Sequence, residues 1–121
     1  MFKYNEPITP GMKLYYNGSD KKWCNRKTGK VTEVMHRGRY VVKRVTDSRV
    51  YIMPDRKNAA SEHQIPLSEI EDKIQVVELN DLTTSMGMLL INVFSKPEWV
   101  LADENFEKTI KTAKILNKGG R

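Results

Sequence analysis

Cysteine is nearly absent from this 121-residue chain: Cys24 stands alone, so no intrachain disulfide can form. With only His36 and His63 as imidazole ligands there is no CxxC or HExxH spacing, and a structural metal is not expected. Long apolar runs are missing too. The longest, MGMLLINVF, is far too short to cross a bilayer, and the opening MFKYNEPITPG lacks the apolar core of a secretion signal, so the expectation is a cytoplasmic protein. There is no P-loop, GxGxxG or GxSxG and no plausible catalytic triad, so neither a cofactor nor enzymatic turnover is expected.

What the chain does have is positive charge, unevenly placed. Residues 1–60 carry fourteen Lys and Arg against five Asp and Glu, a net +9, whereas residues 61–121 carry seven against ten, a net −3. A concentrated cationic surface attracts polyanions and speeds encounter with them, which makes nucleic acid the leading partner class. The bland alternative is a solvated lysine-rich surface. The length suits one modest core plus an appendage, and the apolar residues recur in periodic blocks, so the chain should fold despite its 30% charged content.

Met12, Leu14 and Tyr16 alternate with Lys13 and Tyr15 as a first strand; the polar loop NGSDKKWCNRKTG follows, and KVTEVMHRG returns to β-branched alternation as a second. RYVVKRV, the turn TDS and RVYIMP predict a hairpin of strands three and four, ended by Pro54. After the polar stretch DRKNAASEHQ, the segment IPLSEIED predicts one helical turn and KIQVVEL a fifth strand. The period then changes. Leu82, Met86, Leu89, Leu90, Val93 and Phe94 share one face of a helix with Asp81 or Thr83 as N-cap, although Gly87 weakens it. SKPEW breaks that helix, and a second runs from about Asp103 through Phe106, Ile110 and Ala113 to Leu116, stopping at Gly119.

The candidate residues sit in two places. The loop KKWCNRKTGK combines Lys21, Lys22, Arg26, Lys27 and Lys30 with Trp23; cations neutralise phosphates, and Trp23 either stacks on an unpaired base or folds back as a lid on the core. The hairpin adds Arg37, Arg39, Lys43, Arg44 and Arg49 beside His36, more cations than the protection of an exposed edge requires. Strict alternation would put Lys43 on the face of Val41 and Val45 and Arg44 on that of Tyr40 and Val42, so one of the two must lie at a rim or run its stem over apolar surface. Asp55, Glu62 and His63 fall in the polar stretch with nothing to fix their geometry, and Cys24 reads as an ordinary thiol.

The order strand, long loop, strand, tight hairpin, helical turn, short strand resembles an SH3-like barrel. PGMKLYYNGSDKKWCNRKTGKVTEVM is similar to the KOW motif of ribosomal proteins and elongation factors, with Gly11 as its first glycine and Gly29 and Val31 as its Gly-x-Val. The likeness covers roughly residues 8–79, and the basic loop is longer than the usual motif. In general character the chain also resembles small accessory proteins of tailed phages, which would place it in the host cytoplasm. The resemblance implies a five-stranded antiparallel barrel over residues 1–80 and a binding module; with the two helices read from the changed period as an extension over 81–121 that packs on the barrel, the expected fold class is α+β.

The expected function is therefore non-enzymatic, largely sequence-independent binding of DNA or RNA through phosphates, by a monomer or homodimer. Two alternatives stay open. One is an adaptor or inhibitor that captures a host protein with its basic surface or with Leu89, Leu90, Val93, Phe94 and Trp99; the other is a sponge for an anionic nucleotide.

Overall fold

The computed structural model describes residues 1–85, 88–91 and 97–119. These form strands β1 (Phe2–Lys3), β2 (Lys13–Tyr16), β3 (Lys21–Cys24), β4 (Val31–Met35), β5 (Gly38–Val45), β6 (Arg49–Pro54) and β7 (His63–Pro66). A single turn, α1 (Leu67–Ile70), leads to β8 (Ile74–Val76), β9 (Leu82–Ser85), β10 (Met88–Ile91), β11 (Trp99–Leu101) and the helix α2 (Glu104–Gly119).

The expected five-stranded SH3-like or KOW-like barrel with two C-terminal helices does not form. Seven strands make one mixed sheet in the order β1-β8-β11-β2-β5-β6-β7, and β3–β4 and β9–β10 stand apart as two-stranded ribbons. The strands read from the sequence as one to five correspond to β2, β4, β5, β6 and β8, and the helical turn to α1. β1 and β11, of two and three residues, carry too few for a periodic signal, and β3 and β7 lie in or beside segments that read as polar loops.

The first expected helix is instead the β9–β10 ribbon, with Leu82 opposite Ile91, Thr83 opposite Leu90 and Thr84 opposite Leu89. A short apolar run does not by itself separate helix from strand, and here the β-branched Thr83 and Thr84 favour the extended chain. Met86, Gly87, Val93 and Phe94 lie outside the described residues. The second expected helix does form, as α2. Asp103 caps it, its Oδ1 accepting the Phe106 N–H at 3.0 Å, and Phe106, Ile110 and Ala113 are buried on one stripe.

That stripe belongs to a second core. One face of the sheet buries Leu14, Tyr16, Tyr40, Val42, Val50, Ile52, Ile65 and Trp99 with Met35 and Ile70. The other buries Val100 and Ala102 under Phe106, Ile110 and Ala113, closed by Val77, Leu82 and Ile91 of the chain that crosses from β8 to β11. β11 explains the arrangement. It pairs parallel with β8 and antiparallel with β2, Trp99 entering one core and Val100 the other, so the strand is apolar without alternation.

β5 resolves the conflict over Lys43 and Arg44. Val42 pairs with Ile52 and Arg44 with Tyr51, so Lys43 is the extra residue of a β-bulge, and the alternation restarts one position later. Tyr40 and Val42 point inward, Lys43 and Arg44 are both exposed, and Val45 packs on the core opposite Val50. Both cations thus stay out of the core, and Arg44 lies over the Tyr51 ring, 3.7 Å from its centroid. Deleting Lys43 would leave Val42, Arg44 and Val45 in a regular ladder, so the deletion is expected to cost only about 1 kcal/mol. Deleting Val41 should prevent folding, because it flips the chain before it to the wrong face. Thermal melts of the two variants check both outcomes.

Candidate nucleic-acid interface

The β3–β4 ribbon is built to display charge. Its strands pair Lys21 with Met35, Lys22 with Val34 and Trp23 with Glu33. The connecting turn is organised by Asn25, whose side-chain oxygen accepts the N–H of Lys27 at 2.8 Å and of Thr28 at 3.2 Å. Gly29 closes it in the left-handed region at φ +72°, where a side chain would be strained, and the Lys30 carbonyl accepts the Asn25 N–H at 2.9 Å. The turn therefore holds Arg26, Lys27 and Lys30 outward and exposed, with Lys22 exposed on the strand beneath. Among the described residues, none of these four cations has a carboxylate within 4.0 Å.

The other face of the ribbon is fixed to the body. Trp23 stacks on His63 of β7 with ring centroids 5.5 Å apart and planes 8° from parallel. His63 Nδ1 bonds the Glu33 carboxylate at 2.5 Å, and the Tyr40 ring meets the imidazole edge-on at 6.0 Å. Since a carboxylate only accepts, Nδ1 carries the proton. Tyr40 in turn donates its hydroxyl to the His36 carbonyl at 2.6 Å, and burial pushes that phenol above its ordinary pKa, so it remains a donor. Of the two roles open to Trp23, its place in this structure is that of a partly buried packing residue against the core.

His63 is only 3% exposed, although it reads as part of a polar stretch. The pairing that organises the ribbon joins His63 to Glu33 across 30 residues of sequence. A weak signal exists: His63 and Ile65 flank the polar Gln64 with strand alternation, which puts the histidine on the core face.

The remaining expected contacts divide between groups. Lys21, Lys22, Trp23 and Arg49 line one groove together with Gln64, Pro66 and Glu69. Lys21 also pairs with Glu98 at 2.9 Å; burial alone would lower its pKa, and the Glu98 carboxylate outweighs this and holds the ammonium above its ordinary value. Arg37 and Arg39 line a second groove beside Arg56, which the sequence reading did not single out. Arg39 faces α2: its Nε and Nη2 donate to Glu107 at 2.8 and 3.3 Å, its guanidinium lies 5.9 Å from the Tyr15 ring centroid, and the Glu107 hydrogen bond raises its pKa. It braces helix to sheet. Lys43 and Arg44 project from the bulge, with Arg44 stacked 3.7 Å over Tyr51 and 3.8 Å from Glu62.

Asp55 pairs with Lys13 at 3.5 Å, and Cys24 is exposed. Of the apolar residues expected on a partner-binding helix, Trp99 is fully buried. Among the described residues no helix is long and apolar enough to cross a membrane. Comparison of the chain with protein-family models, with curated proteins and with solved structures finds no match.

Proposed function

We propose that this chain is a non-enzymatic nucleic-acid-binding protein of the cytoplasm that grips the phosphate backbone with the β3–β4 ribbon. The observation that carries the reading is the ribbon itself. Lys22, Arg26, Lys27 and Lys30 are exposed without a carboxylate partner among the described residues, on a turn held by Asn25 and a base held by Trp23 and His63. Preorganised cations lose little side-chain and backbone freedom on binding, and each phosphate they neutralise releases a counterion. A two-stranded ribbon fits the major groove of B-form DNA, whereas the major groove of A-form RNA is too narrow to be read by side chains. Duplex DNA is therefore the favoured ligand. Because lysine and arginine on the ribbon meet phosphates first, binding is largely independent of base sequence.

Fluorescence-anisotropy titrations of duplex DNA at several salt concentrations test this, comparing the native protein with a Lys22→Ala, Arg26→Ala, Lys27→Ala, Lys30→Ala variant. Losing four phosphate contacts should reduce the log–log salt slope by about 3.6. Between 50 and 200 mM salt the native protein should then lose roughly 100-fold more affinity than the variant does. Equal slopes for the two proteins would refute the ribbon as the interface.

A further inference from the structure

The imidazole that anchors the ribbon has a second nitrogen, and it is unused. His63 Nδ1 is committed to Glu33, whereas Nε2 makes no protein hydrogen bond among the described residues. Nor is it sealed away: the only buried side-chain nitrogen or oxygen without a partner among the described residues is Trp99 Nε1. His63 lines a groove of ≈ 400 Å³ together with His36, Arg37, Tyr40, Arg56 and Ser61. Not every charge around it is available. Arg39 is held by Glu107, Asp55 by Lys13 at 3.5 Å, and His36 lies 3.1 Å from Asp20. Arg37 and Arg56 are exposed and have no carboxylate within 4.0 Å among the described residues.

We infer that this groove binds a phosphomonoester group, with Arg37 and Arg56 on its oxygens and His63 Nε2 at its floor. Guanidinium forks match the tetrahedral oxygens of a phosphate and bind two at a time. The imidazole supplies selectivity. A monoester can carry a P–OH, which donates to Nε2 while its other oxygens accept from the guanidinium groups. Glu33 on the far nitrogen fixes the orientation of the ring. A diester has no second proton to share and presents less charge, so the groove discriminates a terminal or free phosphate from the interior of a strand. No cation of the ribbon turn takes part, and the inference does not rest on the ribbon reading.

The probes are 5′-AMP, adenosine, inorganic phosphate, and one oligonucleotide prepared with a 5′-phosphate and with a 5′-hydroxyl. Calorimetry measures binding, and ¹⁵N spectra of the histidine side chains locate it. AMP and phosphate should bind and move the His63 Nε2 resonance, adenosine should do neither, and Arg37→Ala with Arg56→Ala should weaken AMP at least about tenfold without lowering the melting temperature. The four-alanine ribbon variant should bind AMP as the native protein does. A tenfold preference for the phosphorylated oligonucleotide over both its 5′-hydroxyl form and AMP would identify a strand end as the source of the group. Affinity for AMP equal to that for the phosphorylated strand would identify a free phosphomonoester. Equal binding of AMP and adenosine, AMP binding that leaves His63 unmoved, or AMP binding unchanged in the double variant would each overturn the inference.

Discussion

Replacing Trp99 with alanine should lower the unfolding free energy by about 3 to 5 kcal/mol, the range for emptying a large aromatic from a sealed site. Trp99 is fully buried, packs against Tyr16 with ring centroids 4.9 Å apart, and sits on the strand that joins β8 to β2. A domain of this size has only about 5 to 15 kcal/mol to lose, so this one substitution should leave the protein partly unfolded at physiological temperature. Trp99→Phe separates two contributions. The indole Nε1 has no hydrogen-bond partner among the described residues, and an orphaned buried donor costs about 1 to 3 kcal/mol. Phenylalanine keeps most of the ring and removes that donor, so its net cost should stay below about 1.5 kcal/mol. Urea denaturation followed by circular dichroism measures all three proteins. A phenylalanine variant as unstable as the alanine variant would mean that the indole N–H is satisfied in solution.

The second large effect belongs to His63. His63→Ala should cost about 2 to 4.5 kcal/mol, from a hydrogen bond to a charged group worth about 1.5 to 3 kcal/mol and aromatic contacts worth about 0.5 to 1.5 kcal/mol. The lower part of that range is favoured because the Glu33 side chain is 35% exposed, so water can solvate the carboxylate once its partner is gone. The functional consequence follows from position. Without the imidazole, Trp23 loses its stack and the ribbon its anchor, so Trp23 emission should shift to the red in a Trp99→Phe background, where it is the sole tryptophan. DNA affinity should fall about tenfold although no cation has been removed, since the ribbon must then be ordered on binding. The salt slope should stay within about one unit of the native value, because the number of phosphate contacts is unchanged. A slope that drops as far as in the four-alanine variant would mean that His63 positions the cations rather than merely steadying the ribbon that carries them.

Local pattern was legible where a segment is long and its partners are near in sequence. The β5–β6 hairpin is visible because six to eight residues alternate on each side of a turn, and α2 because Asp103, Phe106, Ile110 and Ala113 mark a cap and a stripe. The bulge at Lys43 was visible only as a contradiction, a cation on each face of one strand, and pairing with β6 resolves it. β9 and β10 were misread because their apolar residues fit a helical stripe as well as a strand, and the β-branched threonines that tip the balance carry little weight in a four-residue window.

The candidate site divides along the same line. Composition and order alone determined that the first half is cationic, that Lys21 to Lys30 form a dense basic segment around a tryptophan, and that no disulfide can brace the chain. Charge and turn chemistry are properties of residues and near neighbours, so they survive without a fold. Which cations are free was decided only by tertiary structure. Arg39 is spent on Glu107, 68 residues away, and Lys21 on Glu98, whereas Lys22, Arg26, Lys27 and Lys30 have no carboxylate brought to them among the described residues. The pairing of His63 with Glu33 is likewise a long-range event, and so is the insertion of β11 between β8 and β2. A contact across the fold depends on where two distant segments are carried by the packing of everything between them, and no local pattern in either segment records the other's position.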